Sequence, residues 1–229
     1  MDMASQAAGI GALADDTRRS LYEYVVAQPG PVGREQVGTA LDLPAHKVSF
    51  HLDRLVEEGL LDVEFRRLTG RTGPGAGRPS KLYRRAAREF AVSLPARHYE
   101  VVGDILAAAV ARARGGASVD ESLEESAREE GLGVGRAAGP LDASTAGGEQ
   151  LDVLSGALTT QGYQARVEDD AIVLANCPFD SLARRHTELV CGLNQHFVQG
   201  MADGLGCAAT ARLEPAPDRC CVTVRQDAR

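Results

Sequence analysis

The sequence predicts an α+β fold in two parts: a helical front end closed by a two-stranded hairpin, and a mixed back end that carries the cysteines. Three observations predict it. Two helical apolar patterns joined by a short turn run from Arg34 to Leu61. A basic, glycine-rich stretch follows, flanked by strand-like segments and ending at Arg85. All five cysteines lie after position 176.

The elements follow in order. Residues 1–12 show no pattern and read as a frayed end. Asp15 can cap a helix over Asp16 to Ala27, with Leu21, Tyr24 and Val25 facing inward. Pro29-Gly-Pro31 marks a turn. Arg34 to Leu41 reads as a helix with Val37, Ala40 and Leu41 on one face, and Asp42-Leu43 turns the chain. Pro44 suits the first turn of the next helix. There Val48, Leu52, Leu55 and Val56 recur at helical period. The opposite face offers His46, Lys47, Ser49, Phe50, His51 and Arg54, which can reach phosphates or base edges. Gly59 is placed to end this helix in a left-handed conformation. Leu60, Leu61 and Val63 then begin a strand.

From Arg66 to Arg88 there are eight basic residues and no acidic one. Strand candidates Leu61–Leu68 and Lys81–Arg85 flank a glycine-rich tip. A hairpin of this kind can follow a phosphate backbone or enter a minor groove, with Arg71, Arg78 and Lys81 as its contacts. The Gly-Pro-Gly-Ala-Gly run does not suit a nucleotide loop, which needs a strand before it and a helix after it. Here Arg78 and Pro79 follow. The spacing is that of a winged helix-turn-helix, whose second helix enters the major groove of duplex DNA.

Charge supports a division of labour. Residues 1–95 hold 13 basic and 12 acidic side chains, whereas residues 96–229 hold 12 basic and 20 acidic ones. The acidic part is expected to face away from DNA. No stretch approaches the roughly 18 apolar residues of a membrane span. The first residues lack the pattern of a signal peptide. A cytoplasmic protein with reduced cysteines is therefore expected. No general base, nucleophile or phosphate loop stands out, so the expected role is not enzymatic.

After Pro95, Ala96 to Arg114 reads as a long helix with Val101, Val102, Ile105, Leu106, Ala109 and Val110 on its apolar face. This helix is expected to pair with its copy in a homodimer, because duplex operators favour two-fold readers. Packing on its own unit is the alternative. Asp120 to Glu130 is an acidic helix whose six carboxylates suit a solvated face better than a metal site. Gly131 to Gly148 reads as a loop. Leu151 to Gly162 reads as a helix with Leu151, Leu154 and Leu158 inward. Gln164–Val167 and Ala171–Ala175 form a hairpin pattern, and Ala208–Leu213 and Cys221–Arg225 two further strands. The expected division is a DNA-binding part over 1–95, a dimerisation helix and linker over 96–150, and an α+β sensor part over 151–229.

The cysteines set the chemistry of that last part. Cys177 precedes Pro178 where a helix should start, which would lower its thiol pKa. One unbroken helix from Pro178 to Met201 would hold Cys177 and Cys191 about 20 Å apart. A break near His186-Thr187, with Thr187 as cap and Leu189, Leu193 and Phe197 inward, lets them approach. The Cys220-Cys221 strand can add a third thiolate, and His186 or His196 can complete the set. Four thiolate or imidazole ligands suit zinc or an iron–sulfur cluster. Buried structural cysteines are the alternative.

Taken together the chain resembles the SufR-type winged-helix transcriptional regulators. The resemblance rests on Asp16-Thr-Arg-Arg19, Val48-Ser-Phe-His-Leu-Asp-Arg-Leu55, Gly77-Arg-Pro79 with Tyr83, Asn176-Cys-Pro-Phe179, His186 with Val190-Cys191, and Arg219-Cys-Cys221. It implies a dimeric repressor that senses iron–sulfur status through a cluster on C-terminal cysteines. By resemblance Cys177 and Cys191 match the first two ligand positions and Cys220 or Cys221 the last. Cys207 does not match cleanly, and Thr187 stands where a proline is usual. Relatives with the same fold but incomplete cysteines can lack a metal altogether. A zinc site, or a metal-free sensor of a small organic ligand, therefore stays open beside the iron–sulfur cluster.

Overall fold

The computed structural model describes residues 3–67, 79–142 and 145–227. The chain forms two compact units, Met1–Val92 and Ser93–Arg229.

The first unit begins with a helix, α1 (Met3–Ala12), where the sequence read as frayed. Its Gly9 packs against the ring of Phe90, and the Ala91 N–H donates to Gln6 at 3.0 Å. A partner distant in sequence thus orders these residues. Then come α2 (Asp16–Val26), β1 (Val32–Gly33), α3 (Arg34–Leu41), α4 (Ala45–Glu57), β2 (Leu61–Arg66) and β3 (Ser80–Arg85). Asp15 caps α2 by accepting from the Arg18 N–H at 2.8 Å. Gly59, at φ 74°, turns the chain out of α4. Pro44 is the N-cap of α4. The three strands pair antiparallel in the order β1-β3-β2, with Val63 opposite Tyr83. The core is Leu21, Val25, Val37, Val48, Leu52, Leu55 and Leu61, sealed by Tyr83.

The second unit contains α5 (Tyr99–Arg114), α6 (Val119–Ala138), α7 (Gly147–Thr160), β4 (Ala165–Glu168), β5 (Ala171–Leu174), α8 (Asp180–Ala183), α9 (Thr187–Leu205), β6 (Ala209–Leu213) and β7 (Val222–Gln226). Its four strands are antiparallel in the order β4-β5-β7-β6. Val102, Ile105 and Ala109 of α5 are buried in this unit's own structure, while Val110 is exposed.

The expected loop after Gly131 is helix as far as Ala138, and the cause is tertiary. Gly131 and Gly135 of α6 lie against Gly200 and Gly204 of α9. A methyl group at Gly131 would strike the Phe197 carbonyl, and one at Gly200 the Arg128 carbonyl. The two backbones approach so closely that only hydrogen fits. Arg128 reaches across to Asp203, with an N–O distance of 2.6 Å. Packing therefore overrides the weak helix propensity of glycine.

Candidate DNA-reading face and thiol cluster

On α4 the inward residues are Val48, His51, Leu52 and Leu55. His46 and Lys47 are exposed and Ser49 is half-buried. His51 departs from the expected outward face: it is 8% exposed, and its Nδ1 has no hydrogen-bond partner among the described residues. Burial lowers its pKa, with Arg18 and Lys47 adding to the shift and Asp15 opposing it. It lies three residues after Val48 and four before Leu55, which is core spacing.

Two expected phosphate contacts are engaged within the chain. Arg54 pairs with Glu57 at 3.2 Å and with Glu58 at 2.5 Å. Lys81 pairs with Asp53 at 2.5 Å, and the same carboxylate oxygen accepts from Tyr83 Oη at 3.0 Å. Asp53 therefore ties the recognition helix to the wing strand β3. Strand β2 spans Leu61–Arg66, and the expected strand end at Leu68 lies outside the described residues. Arg71 and Arg78 lie outside the described residues.

In the second unit four cysteines come together. The segment carrying Cys177 is held on several sides. Asn176 accepts from the Gln164 N–H and donates to the Gly162 carbonyl at 2.9 Å. Arg97 donates to the Cys177 carbonyl at 2.5 Å and pairs with Asp180 at 3.6 Å. The helix following Pro178 is the four-residue α8. The expected break is present, because α9 starts afresh at Thr187 with His186 as N-cap. Thr187 is not the cap; its hydroxyl donates back to the Ala183 carbonyl at 2.7 Å. Leu189 is exposed, whereas Leu193 and Phe197 are buried. Cys220 is anchored by its N–H to the Leu174 carbonyl at 2.9 Å.

Cys177 lies beside Cys220, and Cys191 beside Cys221. Cys191 also lies in electrostatic range of both Cys220 and Cys177. The expected lowering at Cys177 is reversed: neighbouring Cys220, then burial, push its pKa up. Cys220 is the thiol whose pKa falls. It accepts from Asn194 Nδ2 at 3.2 Å, and neighbouring Cys177 and the backbone N–H groups of Val222 and Cys221 also favour its charged form. Asn194 is itself buried and accepts from Tyr163 Oη at 2.5 Å. Burial pushes Cys191 up to about 12.

The other candidate ligands stand apart. Cys207 follows the far end of α9, more than about 20 Å of helix from Cys191. It is buried near Asp227, with its pKa raised to about 11, first by burial. His196 faces Glu124 at 3.9 Å, and His186 is exposed at the head of α9. Among the described residues no three His, Cys, Asp or Glu side chains are arranged to hold a metal ion. Cysteines from three segments lie near one another, and the Cys220 sulfur accepts from Asn194. Sequence reasoning missed the Asn194 and Tyr163 pair, which carries no motif.

A family model described as a helix-turn-helix domain matches residues 13–64. No match to a curated protein is found. Residues 13–64, from the turn before α2 into β2, are thus a helix-turn-helix domain of the kind found in DNA-binding transcription regulators. Among the described helices none is long and apolar enough to cross a membrane.

Proposed function

We propose that this chain is a cytoplasmic, homodimeric repressor whose operator binding responds to an iron–sulfur cluster on Cys177, Cys191, Cys220 and Cys221. The single observation that carries the reading is the meeting of these four thiols in the unit that follows a helix-turn-helix domain. Cys207 and His186 drop out of the ligand set on position. A cluster supplies a group that gains or loses electrons, or is itself lost, as iron and oxidant levels change.

The chain's own residues prepare for it. Asn194 Nδ2 and two backbone N–H groups stabilise the charged form of the Cys220 sulfur, and Tyr163 fixes the orientation of Asn194. To hold a cluster these cysteines would have to give up their thiol protons, so uptake would be favoured at higher pH. On DNA, His46, Lys47 and Ser49 make the first contacts. Arg54 and Lys81 contribute once phosphates compete with Glu57, Glu58 and Asp53. Arg71 and Arg78 belong to the proposed wing contacts. Exposed Val110 and its neighbours on α5 suit a dimer seam.

Purification without oxygen, followed by an absorbance spectrum and iron and sulfide assays, tests the reading. Stoichiometric iron and sulfide with a visible band are expected. A colourless, iron-free protein that takes up no cluster on reconstitution would overturn it.

A further inference from the structure

We infer that Phe50 reads the 5-methyl group of a thymine in the operator's major groove, an inference that rests on the DNA-reading role proposed above. Phe50 is 67% exposed. It points away from buried Val48, Leu52 and Leu55 on the outward side of α4. Helical spacing puts His46, Asp53 and Glu57 on that same stripe, at i−4, i+3 and i+7.

Charge divides the stripe. Its C-terminal half carries Asp53 and Glu57, carboxylates held by Lys81 and Arg54, and offers no apolar group to a base. Its N-terminal half carries His46, flanked by exposed Lys47. Base contact is therefore assigned to the N-terminal half, which is how a recognition helix addresses base edges, while Arg54 and Lys81 are left to phosphates. Phe50 is the large apolar side chain there. A phenyl ring makes no conventional hydrogen bond, and the apolar group on the major-groove edges is the thymine methyl. The ring is also steadied before DNA arrives. It meets the His51 ring edge-on at 5.2 Å and 73°, and His51 is buried.

The test uses the full chain and a random duplex library. The enriched duplex is resynthesised with each thymine in turn replaced by deoxyuridine, which removes only the methyl group. At one position in each half-site the loss is expected to weaken binding about fourfold, the effect of one buried methyl. Phe50→Ala should show a similar loss on the thymine duplex and no further loss on the deoxyuridine one. Phe50→Leu should keep most of the discrimination, and both variants should melt like the parent. If no deoxyuridine weakens binding, or if Phe50→Ala stays as sensitive as the parent, the inference is overturned. Failure to enrich any duplex would instead overturn the DNA-reading role, and the inference with it.

Discussion

The two units keep their working groups on opposite sides of the surface. In Met1–Val92 the core is apolar but for His51, and the candidate contacts His46, Lys47 and Phe50 are exposed. In Ser93–Arg229 Cys191, Cys220, Asn194 and Tyr163 are buried in the unit itself, with Cys177 packed against its core and Cys221 half-buried. The difference teaches where each unit can be altered. Outward contacts can be changed without touching the fold, because water replaces what is lost. Inward ones cannot, because Tyr163, Asn194 and Cys220 hold one another.

The comparison breaks most visibly at the α6–α9 crossing. Gly200→Val would drive a side chain into the Arg128 carbonyl and should destabilise the second unit by more than about 3 kcal/mol. Thermal unfolding should show that unit melting early while the first keeps its own transition. A smaller effect is expected at Asn194→Leu, which leaves the buried Tyr163 hydroxyl and the Cys220 sulfur without their shared partner. About 2 kcal/mol should be lost in denaturant titration, since buried polar groups are left unsatisfied.

Smaller again is a pH effect in the first unit. Burial holds the His51 pKa below its ordinary value. As pH falls through about 6.5 the unfolded chain takes up a proton that the folded one refuses. The stability associated with the neutral ring is therefore full above that pH and is lost as pH falls toward the lower folded value. The urea midpoint of the first unit should drop between about pH 7 and pH 5, and His51→Leu should flatten the drop. The smallest stability change is expected for Lys47→Ala, which should leave melting unaltered. Its mark is on binding: weaker association with any duplex, and a salt slope reduced by about one. Equal loss of stability and affinity there would remove the contrast between the units.

Much of this was legible in the residues. Local pattern fixes α2, α3 and α4, because each has a cap or turn residue and an apolar stripe of its own. The hairpin of β4 and β5 was legible too, its turn held by Asp169 at φ 53°. The restart at Thr187 followed from reach alone. What was hidden depends on partners far along the chain. Gly131 and Gly135 look like loop residues until Gly200 and Gly204 face them. Cys221 gains its place because both cysteines precede Val222, in a bend rather than in the alternating strand. His51 was legible by spacing yet is outweighed by its polar ring in any reading by residue type. At Cys177 the expected helix-end effect fails, because a four-residue helix offers little field and the thiol is partly buried beside Cys220.

The central claim is that the thiols of the second unit govern DNA binding by the first. The direct measurement is operator affinity at fixed salt, with and without oxygen, for the parent and for Cys220→Ser. The account predicts that the parent's affinity differs between the two conditions by about fivefold or more, and that Cys220→Ser abolishes the difference. Equal affinity of the parent in both conditions, with its cluster shown to be intact in one and lost in the other, would contradict it.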